Sequence, residues 1–231
     1  NDTGGKCVVT LEYREDHWLI TEIADKPDEL PVGVAADIGT TTLALLVTDL
    51  RDGKVLGGAA NFNRQMHLGD DVLTRINLCV NHPENLRQLQ ELIVQQTLQP
   101  LLAEALAKPG LEKARVRCMT VAANTTMLHL FAGVDPTPMG TAPFTPRFLE
   151  HRVIRLPEFE FPIHLLPGAA APVGADLTAG SLATGLMYDD GPCLLVDVGT
   201  NGEIVLKRGE HLFGCATAAG PAFEGAGLTN G

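Results

Sequence analysis

The chain has 231 residues, 45% hydrophobic and 19% charged, which fits one large or two small folded domains and excludes a disordered chain. Its 17 Lys and Arg stand against 28 Asp and Glu, a net charge of −11, so no nucleic-acid or anionic-membrane surface is expected, since both partners need clustered positive charge. No apolar run reaches the roughly 18 residues of a transmembrane helix, and the five scattered cysteines (Cys7, Cys79, Cys118, Cys193, Cys215) contain no C-x-x-C pair, so reduced core thiols in the cytoplasm are expected rather than disulfides or a metal cage.

There is no secretory signal, and Asn1 in place of Met suggests a processed or truncated product. Residues 8–13 and 18–23 read as two short strands around a polar turn. Residues 24–31, acidic and bounded by Pro27 and Pro31, read as a linker, so 1–31 form the tail of a preceding module. Strands are expected over 34–37, 43–49 and 55–61, the last two joined by the Arg51-Asp52-Gly53-Lys54 turn. Helical spacing follows over 69–80 and 86–107, with Val72 and Ile76, then Leu86, Leu89 and Ile93, at three- and four-residue steps. A fourth strand over 116–122 runs into a helix over 125–131. The proline-rich stretch 133–172 holds a fifth strand at 163–166, and 176–187 is helical again. Hairpin strands followed by alternating helices and strands make a mixed α/β sheet with helices packed on it.

An internal repeat is the most informative feature. V-A-A-D-I-G-T-T-T at 34–42 matches L-L-V-D-V-G-T-N-G at 194–202, and Asp37/Asp197, Gly39/Gly199 and Thr40/Thr200 all keep the same spacing. Each copy is an apolar strand, D-[IV]-G-T, a polar turn and a second strand; the later copy continues through strands at 203–206 and 211–215. Glycine lets a ligand approach the backbone, consecutive turn amides point into one space, and the carboxylate can hold Mg²⁺ through water. Two facing turns would clamp a polyphosphate between lobes. There is no G-x-x-x-x-G-K-[ST], so a P-loop is excluded.

The chain resembles the acetate and sugar kinase, Hsp70 and actin superfamily. More narrowly, it resembles the ATPase domain of reductive activators of corrinoid proteins, an iron–sulfur protein family. The match is carried by V-A-A-D-I-G-T-T-T (34–42), G-D-D-V-L-T-R-I (69–76), A-N-T-T-M (123–127), V-G-A-D (173–176), D-V-G-T-N-G-E-I (197–204) and T-A-A-G-P-A-F-E-G-A (217–226). The resemblance implies duplicated ribonuclease-H-like, actin-like lobes: 32–140 the first, 141–192 a connection with the interlobe helix, and 193–231 the start of a truncated second. It implies ATP and Mg²⁺, with Asp37 and Asp197 holding the metal through water. Gly39, Thr40, Thr41, Thr42, Gly199, Thr200, Asn201 and Gly202 would form the phosphate clamp. Asp176, with Asp197, would be catalytic and face the terminal phosphate; its other role is helix capping. Gly220 and Glu224 would meet nucleotide, or form a plain turn.

The implied activity couples ATP to reduction of Co(II) corrinoid to Co(I). The implied partner is a corrinoid protein of a methyltransferase system, a homodimer is allowed, and an iron–sulfur cluster belongs to an upstream domain. The superfamily's adenosine motif would follow Gly231. A small-molecule kinase with Asp176 as base, or a partner-binding lobe without turnover, are the alternatives. Asn124 and Thr125 read as helix caps, Asp70 and Asp71 as first-turn stabilisers, His67, His82 and His129 as surface or satisfied core residues, and Met and Phe as core filling.

Overall fold

The computed structural model describes residues 7–14 and 16–218. Strands β1 (Val8–Arg14) and β2 (His17–Ala24) form an antiparallel hairpin. Arg115 and Arg117, on the body of the protein, pair with Glu22 and Asp28 and so tie the hairpin to it.

The central sheet is built from β3 (Leu30–Ile38), β4 (Thr42–Asp49), β5 (Val55–Phe62), β6 (Ala114–Ala122), β7 (Arg152–Ile154) and β8 (Ile163–Leu165). Its order is β5-β4-β3-β6-β8-β7, with β3 parallel to β6 and β6 parallel to β8, and the other pairs antiparallel. Strand alternation sends Val32, Val34, Ala36 and Ile38, with Leu43, Leu45 and Val47, into the core, while Asp37 stands on the opposite face. Each of the Val, Leu and Ile side chains among these contributes roughly 1.5–3 kcal/mol on burial.

The core is closed by α1 (Val72–Asn81), α2 (Asn85–Ile93), α3 (Gln99–Leu106) and α4 (Thr125–Ala132), which add Cys79, Leu89, Ile93, Leu101, Met127 and Phe131 to the cluster that holds the sheet's buried residues. α2 and α3 are one continuous rod through a π-helical turn, Val94–Leu98. Pro100 has no N–H for the ordinary ladder, and the wider turn ahead of it accommodates that loss. Beyond α5 (Ala175–Ala183), the strands β9 (Cys193–Val198), β10 (Asn201–Arg208) and β11 (His211–Ala218) form an antiparallel sheet of order β11-β10-β9.

The expected elements are present, with differences. β3 starts at Leu30, inside the expected linker, because Leu30 to Asp37 pair with Ala114 to Ala122. α1 begins only at Val72, since Asp71 takes the N-cap position and accepts from Thr74 N (2.8 Å). α5 ends at Ala183, ahead of Gly185 with φ +75°, and a 3₁₀ turn, Leu186–Tyr188, replaces its expected last part. β7 was not expected. β9 exposes Leu194, Val196 and Val198 rather than being the buried strand expected, Cys7 and Cys215 are exposed rather than core, and Phe62, Phe144 and Phe213 are likewise at the surface. Among the described residues no helix is long and apolar enough to cross a membrane.

Candidate functional site

The first D-I-G-T-T-T segment leaves β3 at Ile38, turns through residues 39–41 and enters β4 at Thr42. Gly39 is required by space: a Cβ there would lie 2.5 Å from the Thr42 carbonyl oxygen. Every carbonyl of the turn is held from behind. Gly39 O accepts from Asn63 Nδ2 (3.0 Å), Thr40 O from Arg75 Nη2 (2.6 Å), and Thr41 O from the Asn63 backbone N–H (2.7 Å). Among the described residues no backbone acceptor takes the Thr40 or Thr41 N–H. Carbonyls engaged on one side leave donors presented on the other, which is the arrangement an anion needs.

Three further sequence motifs meet at or behind this turn. Asn124 caps α4 by accepting from Met127 N (2.9 Å) and also donates to Thr40 Oγ1 (3.0 Å), so the A-N-T-T-M segment fixes the Thr40 side chain as well as a helix. Gly174 of V-G-A-D packs on that cap: a Cβ there would stand 2.5 Å from Asn124 Cα, and Ala175 N donates to Ala123 O (2.8 Å). The G-D-D-V-L-T-R-I segment contributes Arg75, which is completely buried and whose guanidinium pKa burial pushes down to about 10.

The second turn faces the first. Thr41 Oγ1 and Thr200 Oγ1 lie 2.6 Å apart, both residues are buried, and 159 positions separate them. Gly199 N donates to Asn201 O (2.9 Å), while Asn201 and Gly202 begin β10. Asp37 and Asp197 are exposed at corresponding places near the ends of β3 and β9. The two copies therefore touch through Thr41 of the first and Thr200 of the second, which are not equivalent positions of the repeat: Thr200 matches Thr40, and Asn201 matches Thr41.

A cluster of acid groups belongs to the second turn. Asp197 pairs with Glu203 across β9 and β10. Glu203 is buried, and burial, then the charges of Asp176 and Asp197, push its pKa up to about 7. Asp176, in the first turn of α5, accepts from Leu177 N (2.8 Å), but the N-cap position is Gly174 and no side chain caps the helix, so the expected capping role is not the one Asp176 takes. It also faces the cluster: burial foremost, and the Asp197 charge, raise its pKa. Three carboxylates sharing one region is a donor set that suits a divalent cation, whose charge would relieve their repulsion. Among the described residues no three His, Cys, Asp or Glu side chains converge as direct ligands, so such a cation would be held chiefly through water.

Glu203, Arg75, Asn63 and Gln65 were missed by sequence reasoning; the first two lay inside motifs that were recognised. Gly220 and Glu224 lie outside the described residues, as does most of the 217–226 segment. His129 is a satisfied core residue, its Nδ1 meeting Thr125 O (2.7 Å) and its Nε2 accepting from Arg147 N (3.0 Å).

Residues 32–189 match the family described as the RACo middle region, and residues 191–231 match the C-terminal domain of RACo, the ASKHA domain. The corrinoid activation enzyme RamQ of Eubacterium limosum is 33% identical over 220 residues, covering 92% of this chain and 37% of that protein. A Methanosarcina barkeri protein, the [Co(II) methylated amine-specific corrinoid protein] reductase, is 25% identical over 214 residues, covering 86% of this chain and 38% of its own length. Among solved structures, a reductive activator for corrinoid, iron–sulfur protein superposes with a TM-score of 0.91 at 36% identity, over 96% of this chain and 36% of that one. The chain thus spans little more than a third of the relatives it matches.

Proposed function

The chain belongs to the RACo family of reductive activators and has its actin-like ASKHA fold, and from that premise we propose that it binds and hydrolyses ATP to drive reduction of a Co(II) corrinoid protein to Co(I). The observation that carries this reading is the Thr41–Thr200 contact, which sets the two D-x-G-T turns face to face. Phosphate oxygens enter between the turns and accept from the Thr40 and Thr41 amides and from the threonine hydroxyls. Asp37 and Asp197 would hold hydrated Mg²⁺ there, and Mg²⁺, when bound, would neutralise charge on the phosphates. Asp176, held above the ordinary carboxylate range by burial, stands at the α5 N-terminus facing the terminal phosphate and orients water toward it.

Making Co(I) is uphill, so nucleotide must be coupled to two states of the protein. The contact between the turns supplies a physical basis: a ligand that replaces the Thr41–Thr200 hydrogen bond changes how the lobes are held. The partner is a corrinoid protein, and electrons come from an iron–sulfur cluster elsewhere in the full-length protein. We place this activity in the cytoplasm. The test is ATP turnover by the full-length protein with and without a Co(II) corrinoid protein. Corrinoid-dependent stimulation is expected; turnover that ignores the corrinoid protein would overturn the coupling.

A further inference from the structure

Arg75 is a cation in the wrong place for ordinary folding, fully buried in α1. All four of its hydrogen-bond partners are neutral. Nε donates to Gly69 O (3.0 Å), Nη1 to Gln65 Oε1 (2.8 Å) and toward Met127 Sδ (3.2 Å), and Nη2 to Thr40 O (2.6 Å). No carboxylate pairs with the guanidinium directly, and the charges of Asp71 and Asp70 offset only part of its burial; a buried cation on neutral partners is costly even when hydrogen-bonded. Gln65, itself fully buried, is tied down by donating to Leu89 O (2.9 Å), so the guanidinium has a fixed seat.

The Thr40 carbonyl that Arg75 grips belongs to the same peptide group as the Thr41 N–H. A cation pulling on the oxygen end of a peptide polarises it and makes its N–H a stronger donor, the cooperative strengthening found in chains of hydrogen bonds at low dielectric. Asn63 does the same, without charge, to the Gly39 carbonyl and hence to the Thr40 N–H. We infer that Arg75 is a positioning residue for phosphate: from behind the first turn it fixes the Thr40 carbonyl and sharpens the Thr41 amide toward a bound phosphate oxygen. The bound anion then adds to the negative charge of Asp71 and Asp70 that already acts on the guanidinium. This rests on the phosphate-clamp reading and extends it, assigning part of the first turn's preference for anions to a side chain that never touches the ligand.

The test is calorimetric binding of MgATP and, separately, of adenosine to the full-length protein. Arg75→Met removes the charge while keeping an apolar stem. It is expected to weaken MgATP by about tenfold or more, equivalent to about 1.4 kcal/mol, and to leave adenosine unchanged. Arg75→Lys, which keeps the charge but cannot span the same acceptors, should fall between. Gln65→Glu gives Arg75 a carboxylate in the seat of its present amide partner, and a merely structural role for Arg75 predicts no selective loss of MgATP. The inference expects that selective loss, and Gln65→Glu decides the matter if Arg75→Met does not fold. Unchanged MgATP affinity, or equal weakening of both ligands, would overturn the inference. Wild-type protein that bound adenosine but not MgATP would instead overturn the phosphate reading beneath it.

Discussion

Replacing Thr41 and Thr200 by Val, singly and together, tests whether the two turns face one another as described. Valine keeps the branched shape and removes only the hydroxyl. The two oxygens are 2.6 Å apart, and the residues are 1% and 7% exposed, so the interaction is screened little by solvent. A buried neutral hydrogen bond of this kind contributes about 0.5–1.5 kcal/mol net. Thr41→Val should therefore lower the melting temperature of a domain of this size by about 2–4 °C per kcal/mol. Once either hydroxyl is gone the bond is lost, so the double variant should cost clearly less than the two single variants together. The measurement is a double-mutant cycle on chemical unfolding of the nucleotide-free protein. Saturating MgATP should abolish the coupling, because phosphate oxygens then take both hydroxyls. Strict additivity without nucleotide, within about 0.3–0.5 kcal/mol, would refute the apposition of the turns.

Asp37→Asn and Asp197→Asn keep shape and hydrogen bonding but remove the charge that would hold Mg²⁺, so ATP turnover should fall by about two orders of magnitude or more while melting temperatures hold or rise. Gly39→Ala places a Cβ against the Thr42 carbonyl oxygen, and unfolding experiments should show a loss of about 1–3 kcal/mol together with weaker MgATP binding. Glu203 has its folded pKa raised to about 7 from 4.5, so the folded state holds a proton that the unfolded state releases, and stability falls as pH rises between those values. In Mg²⁺-free buffer Glu203→Gln should therefore raise the melting temperature, with a gain near zero below pH 4.5 that grows through the interval and levels off above about 7.

Much of the first lobe was legible because local rules and tertiary demands agree there. The short apolar run that begins at Val34 reads as a strand, and Val34, Ala36 and Ile38 are buried. The D-x-G-T repeat pointed to paired lobes, and Thr41 and Thr200 touch. Arg75 was not legible, because an arginine beside Val72 and Ile76 reads as the solvent side of a helix, and its burial depends on Gln65 and the Thr40 carbonyl, which the sequence does not place beside it. Glu203 lies in a strand where Ile204, Val205 and Leu206 are all apolar, so no alternation marks which face is inward; Glu203 and Val205 take it. β7 has three residues, too few for a period of two, and exists by pairing with β8. The π turn had a signal, Pro100 within a helical run, and its cause is the proline's missing N–H.

The most direct measurement follows the corrinoid absorbance of a Co(II) corrinoid protein under reducing conditions, with the full-length protein and with its Asp37→Asn and Asp197→Asn forms, each with and without MgATP. Co(I) should accumulate with wild-type protein only when MgATP is present, and neither variant should support it. Equal Co(I) formation by wild type and both variants, or formation indifferent to MgATP, would contradict a nucleotide clamp built from the two facing turns.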